Sequence, residues 1–177
     1  MTPIITVDRL REILHYEPES GEFRWRVSPR YRIDAGDVAG SLQQGCRRVR
    51  IDGRRYRGSR LAWLYMTGVW PEHEVDHINL DSTDNRWGNL REATRAQNQA
   101  NTRARGLSGL KGACLHHSGA WEAKITVAGK TIHLGHFNTR EAAFRAYADA
   151  ALKYFGEYAK PRTIGDARHR YGLKTGG

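Results

Sequence analysis

The stretch that most constrains this chain runs from His73 to Asn101. From His73 to Ile78 the residues alternate, with Val75 apolar and Glu74 and Asp76 on the opposite side, the period of a strand. Leu80 to Gly88 is rich in Asp and Asn, which close turns through their own backbone bonds. Thr94-Arg95-Ala96-Gln97 then fits a capping box, so a helix is expected from Arg95, with Asn98 in its first turn and Asn101 one turn on. The order is strand, loop, short strand, helix, and it lets Asp76 and Asn98 face each other. A regular strand turns His77 away from Asp76, so a bulge or the strand end would be needed to bring both into one pocket.

The chemistry these residues offer is that of a single-metal site. A few hard oxygen ligands, with water in the remaining positions, suit Mg²⁺ or Mn²⁺ rather than zinc. Such an ion polarises a scissile phosphate and stabilises the leaving oxygen. Histidine as a residue type exchanges protons near neutral pH, so His77 can take a proton from attacking water.

The charge distribution fits a polyanion held on both sides of that site. The chain of 177 residues has a formal net charge of +10. Residues 1–71 hold 13 Lys and Arg against 8 Asp and Glu, and residues 102–177 hold 13 against 5. Residues 72–101 reverse the sign, with 3 against 6. Basic flanks around an acidic centre are the electrostatic footprint of a nucleic-acid partner. Cys46 and Cys114 lie far apart with no CxxC pairing, so neither a disulfide framework nor a structural zinc is expected. No apolar run is long enough to span a membrane and the N-terminus carries no secretory pattern, so the expected location is the cytoplasm.

Before the central stretch, Thr6 caps an expected helix with Val7, Leu10, Ile13 and Leu14 on one face, and Phe23, Trp25 and Val27 alternate as a strand. Asp52-Gly53 is a two-residue hairpin signal. It pairs Ile51 with Arg54, Arg50 with Arg55, Val49 with Tyr56, and Arg48 with Arg57. Arg48, Arg50, Arg55 and Arg57 then crowd one face, and like charges directly opposite each other destabilise a hairpin. A row of phosphates against that face relieves the repulsion, so these four arginines are expected DNA contacts. Ser59 is expected to cap a helix through Tyr65 that Gly68 stops.

Asp76-His77-Ile78, Asn85-Arg86, Asn89-Leu90-Arg91, Thr94 and Asn98 together resemble the HNH endonucleases, specifically the branch of bacteriophages and mobile introns. Gly36-Asp37-Val38-Ala39-Gly40 and Arg60-Leu61-Ala62-Trp63 also look like this branch, although Ser59 stands where many relatives carry a histidine. The resemblance implies His77 as general base and Asp76 with Asn98 as ligands of one divalent ion, Mg²⁺ or Mn²⁺. It implies that Asn89 fixes the loop and orients His77 through backbone contacts. The third motif position is Asn98 here, not the histidine of the family name.

Beyond a small, basic stretch, Trp121, Ala123, Ile125 and Val127 alternate with Glu122, Lys124 and Thr126, and Ile132 and Leu134 alternate with Thr131 and His133. Ala128-Gly129 makes the turn between them. Thr139 caps a helix with Phe144, Tyr147, Ala148, Ala151 and Phe155 as its apolar stripe, ended by Gly156. Ser108-Gly109-Leu110-Lys111-Gly112, Trp121, Leu134-Gly135-His136-Phe137, Ala142-Ala143 and Ala146-Tyr147 resemble the Apetala-type domain of plant ethylene-response factors. That resemblance implies a three-stranded sheet whose free face enters the DNA major groove. The matching positions are Lys111, Cys114, His116, Lys124, Thr126, Thr131 and His133.

The sequence therefore leads to an α+β chain. It has an N-terminal α/β DNA-contacting region (1–71), a ββα-metal HNH nuclease core (72–102), a linker (103–110), an Apetala-type DNA-binding domain with a three-stranded antiparallel sheet packed on one helix (111–160), and a basic tail (161–177). The expected activity is metal-dependent hydrolysis of double-stranded DNA by a homing-type enzyme. One site implies one strand cut per binding event, hence nicking by a monomer. The competing expectation is a catalytically inactive DNA-binding regulator that keeps the fold.

Overall fold

The computed structural model describes residues 4–30, 32–102 and 110–159. The expected linker 103–110, save its last residue, and the basic tail 161–177 lie outside them. The chain divides into two compact units, Met1–Ala93 and Thr94–Gly177. That boundary falls within the 72–102 segment expected as one core, between the second strand of the motif and its helix.

The first unit opens with α1 (Val7–Ile13), capped by Thr6, whose hydroxyl accepts from the Arg9 amide at 3.3 Å. Leu14 does not extend the helix as expected; it begins β1 (Leu14–Glu17), which pairs antiparallel with β2 (Glu22–Trp25). Leu14 and Tyr16 point inward opposite Trp25 and Phe23, and the Tyr16 and Phe23 rings pack at a tilt of 30° with centroids 4.7 Å apart. Val27, expected to continue that strand, is exposed beyond its end. A three-stranded sheet follows in the order β3 (Ser41–Gln43), β4 (Cys46–Ile51), β5 (Arg54–Arg57). The β4–β5 register is the one the Asp-Gly turn dictates, from Ile51 opposite Arg54 to Arg48 opposite Arg57. Asp52 and Gly53 both have positive φ, 47° and 82°, as a type I′ turn requires.

Next comes α2 (Gly58–Thr67), which starts one residue before Ser59. Its N-cap is Arg57 without a side-chain cap bond, and Ser59 is buried in the first turn, so the expected Ser59 cap is not formed. Gly68 ends the helix at φ 81°, its amide donating to the Leu64 carbonyl. Leu10, Leu14, Tyr16, Phe23, Val49, Leu61 and Leu64 are all fully buried in one core. Each large side chain there stabilises the unit by roughly 1.5–3 kcal/mol relative to exposure. Against this core lies the hairpin β6 (Glu74–His77) with β7 (Leu90–Ala93), and the turn before β7 is a 3₁₀ segment over Trp87–Asn89.

The second unit begins with α3 (Arg95–Asn101). Thr94 and Gln97 form the expected capping box, with both reciprocal bonds present. A sheet in the order β10 (Lys130–Phe137), β9 (Trp121–Val127), β8 (Ala113–Leu115) packs its Ala113, Ala123 and Ile125 face on α4 (Arg140–Phe155). Thr139 caps α4, and the buried stripe is Ala143, Phe144, Tyr147, Ala150 and Ala151. Gly112 has φ 74° and lies so close to the Tyr147 ring that a Cβ there would overlap it. The α+β class and the three-stranded sheet on one helix are as the sequence implies.

Candidate active site and sheet face

In the first unit the motif is built around an asparagine-rich loop that ties itself down. Asn89 is buried and central. Its backbone carbonyl accepts from the Ile78 amide at 2.9 Å, and its side-chain oxygen accepts from the Asn79 amide at 3.0 Å. Its amide nitrogen donates to Asn79 Oδ1 at 3.0 Å and to the Asp84 carbonyl at 2.8 Å. Four bonds from one residue thus clamp the end of β6 to the loop. The Asp84 carboxyl accepts from Asn79 and Arg86, and the Arg86 guanidinium holds it down at about 2. Asp81 is lowered as well, chiefly by the Thr83 hydroxyl.

His77 sits at the end of β6, opposite Leu90. Its Nε2 lies 3.2 Å from Asn85 Oδ1. The Asn85 amide nitrogen donates to the Thr83 carbonyl at 3.4 Å, which turns its oxygen towards His77. An Nε2–H donating to that oxygen puts the lone pair of the neutral ring on Nδ1. Asn85 is itself buried, and its carbonyl accepts from the Tyr16 hydroxyl at 2.6 Å. Burial, reinforced by Asp84 and Glu17, raises the Tyr16 pKa far above its usual value and keeps this donor protonated.

Asp76 lies one residue before His77 in a regular register, so the two side chains leave opposite faces of the strand. No bulge rotates them together. The Asp76 carboxylate is buried, and Arg91, directly opposite on β7, donates to its Oδ2 through Nε at 3.0 Å, with Nη2 of the same guanidinium 2.9 Å from that oxygen as an ion pair. A buried carboxylate is the kind of hard oxygen donor that Mg²⁺ or Mn²⁺ prefers. The sequence pairing of Asp76 with Arg91 could have been found from the strand register, since opposite charges directly across an antiparallel pair attract. Asn98 is in the first turn of α3, as expected, in the second unit.

The basic hairpin lines a groove of about 820 Å³ in the first unit. Arg48, Arg50 and Arg55 contribute to its wall, together with Arg9 and Arg30, which the sequence did not single out. Arg57 is exposed at the end of β5. Among the described residues, Arg50, Arg55 and Arg57 form no ion pair with a carboxylate.

In the second unit the free face of the sheet carries Lys124, Thr126, Thr131 and His133, all exposed, with Lys124 opposite His133 and Thr126 opposite Thr131. Cys114, opposite Glu122, is exposed, and His116 follows β8 with its Nδ1 2.8 Å from Ser118 Oγ. Lys111 is different. Its ammonium donates to the carbonyls of Gln99, Ala100 and Thr102, closing the C-terminus of α3, where cations are stabilised. Burial there lowers its pKa to about 8. The charge expected on the sheet face is committed to a helix end.

Residues 56–100 match the family model described as HNH endonuclease. The match takes in His77, Asn89 and Asn98. The chain is also similar to plant proteins. It is 42% identical over 59 residues to the ethylene-responsive transcription factor WRI1 of Arabidopsis thaliana, covering 32% of this chain and 14% of that protein. It is 43% identical over 58 residues to APETALA2-like protein 2 of Oryza sativa subsp. indica, covering 32% and 13%. A longer match, 29% identical over 151 residues, is to the AP2-like ethylene-responsive transcription factor AIL5 of Arabidopsis thaliana, covering 77% of this chain and 27% of that protein. The chain thus spans about a quarter or less of the length of these relatives. An HNH-type segment and an AP2-type segment occur in one chain. Among the described residues no helix is long and apolar enough to cross a membrane.

Proposed function

We propose that the protein is a metal-dependent DNA endonuclease that hydrolyses phosphodiester bonds in double-stranded DNA. The observation that carries this reading is the His77 imidazole, fixed by Asn85 at the edge of a loop that Asn89 clamps, inside the segment that matches the HNH endonuclease model. Pre-positioning a base removes part of the entropic cost of the reaction. His77 accepts a proton from water at Nδ1, the oxygen attacks phosphorus, and the ester oxygen leaves. Asp76 would be a ligand of a divalent ion, Mg²⁺ or Mn²⁺, that neutralises charge on the scissile phosphate and the leaving oxygen.

DNA is held in this proposal by Arg48, Arg50, Arg55 and Arg57 and by the free sheet face of the second unit, with His116, Lys124, Thr126, Thr131 and His133 towards the major groove. Phosphate contacts supply affinity, and side chains on the sheet supply base readout. A single hydrolytic site favours nicking by a monomer, of the homing type found in phages. A second reading, a DNA-binding regulator without catalysis, is favoured by the Arg91 guanidinium on Asp76, which occupies one oxygen of the proposed ligand. Incubating supercoiled plasmid with the protein and Mg²⁺ or Mn²⁺ separates the two. Conversion to open circle supports the enzyme, and binding without relaxation in either ion supports the regulator.

A further inference from the structure

The free face of the second unit's sheet carries a feature that DNA contact alone does not account for. In a regular strand, residues three apart leave opposite faces. His133 and His136 in β10 break that rule. The pairing with β9 runs His133 opposite Lys124 and then Gly135 opposite Ala123, with one residue, Leu134, left over as a bulge. Gly135 takes φ 130°, a conformation that favours glycine, and the extra residue turns the strand by one position. His136 therefore comes out on the same face as His133, directly opposite Glu122, while Leu134 and Phe137 pack inward.

The result is two imidazoles and one carboxylate with donor atoms all within 4.8 Å of one another. His133 Nε2 lies 3.6 Å from Glu122 Oε1, and the His133 and His136 rings are 4.8 Å apart. Both histidines are exposed, and Glu122 is half-buried. His116 adds a third ring, 4.7 Å from that of His136, and Cys114 is the strand partner of Glu122. Lys124 Nζ, 3.2 Å from Glu122 Oε2, is the competing cation.

We propose that Glu122, His133 and His136 form a binding site for a divalent transition-metal ion of the zinc class, with a fourth position open to water. Two neutral imidazoles and a carboxylate are the three-ligand set of open tetrahedral zinc sites. Imidazole nitrogen also sets this site apart from the oxygen-donor chemistry of the nuclease motif, which suits Mg²⁺ or Mn²⁺. Ligand bonds of about 2.0–2.1 Å place tetrahedral donors roughly 3.3 Å apart, so the two rings close on the ion by rotating about their side-chain bonds. Their exposed positions leave room for that. No cysteine spacing announces the site, because the bulge makes it. The proposal does not depend on the nuclease reading.

The test titrates tag-free, metal-stripped full-length protein with Co²⁺, following its visible ligand-field absorption, and then displaces Co²⁺ with Zn²⁺. One Co²⁺ per chain should bind, yield to Zn²⁺ and resist excess Mg²⁺. His133→Ala and His136→Ala should each weaken binding by more than the roughly 10–100-fold that even outer partners of metal ligands contribute. His136→Gln, which keeps the size and polarity of an exposed position, should do the same with an unchanged circular dichroism spectrum. Lys124→Ala, on the same face, should bind Co²⁺ at least as tightly as the parent. No saturable Co²⁺ binding by the parent would overturn the proposal. So would His136→Gln binding as tightly as the parent, or Mg²⁺ displacing Co²⁺ in the parent.

Discussion

His77 Nε2 lies 3.2 Å from the side-chain oxygen of Asn85, and Asn85 is held in turn by the Tyr16 hydroxyl on its own carbonyl. The imidazole is oriented by a residue of the loop, and the loop is oriented by a residue from the first hairpin of the chain. Asn85 is a positioning residue on this account, so its replacement acts on His77. Asn85→Asp places a carboxylate beside the ring and favours the imidazolium. The acid limb of the pH–rate profile for DNA cleavage should then move to higher pH. Asn85→Ala should lower the rate on the order of 100-fold at unchanged DNA affinity, the cost of misplacing the base. A profile that does not move in Asn85→Asp would assign Asn85 to the loop alone.

Tyr16→Phe removes the 2.6 Å bond to Asn85 and leaves a buried carbonyl without that donor. The unit should lose about 1–3 kcal/mol in urea unfolding. Because the ring keeps its contact with Phe23, a loss well beyond this range would point to packing instead.

The arginine hairpin predicts a salt effect. Arg50→Ala and Arg55→Ala should weaken binding about equally on all DNA sequences, and each should reduce the slope of log affinity against log salt by about 1. Filter binding at several salt concentrations reads both. An unchanged slope would place the groove away from the phosphates.

Asp84 gives the loop a pH dependence whose sign follows from its depressed pKa. Its ordinary value of 3.8 falls to about 2 in the folded chain, chiefly through the Arg86 guanidinium. The stability it contributes is complete above the unfolded value and is lost as pH falls through the folded one. Asp84→Asn should therefore flatten the stability profile between about pH 4 and pH 2. Parallel profiles for the two proteins in that interval would contradict the assignment.

What could be read from the sequence was what is decided locally. The Asp52-Gly53 turn fixed its register because both residues must take positive φ, and Thr94 with Gln97 completes its capping box within four residues. Elements that depend on distant partners were not legible. Leu14 fits the period of the helix before it and of the strand it joins, and only its pairing with Trp25 decides between them. β3 has no buried residue to reveal it, with Leu42 exposed. Asn85 could be quoted as a motif residue, but its hold on His77 depends on Tyr16, 69 positions away. Lys111 read as one more basic residue of the sheet face because nothing local shows that its ammonium closes α3. The bulge at Leu134 is a property of two strands together.

In the proposed reaction His77 performs chemistry rather than holding the loop, and that role is open to direct measurement. It is tested most directly by comparing His77→Ala with the parent, measuring plasmid nicking in Mg²⁺ or Mn²⁺ and DNA affinity on the same preparations. His77→Ala should lose nicking by roughly 10²–10⁴-fold while binding DNA as tightly as the parent. Loss of nicking and binding in equal measure, or nicking that survives the substitution, would contradict it.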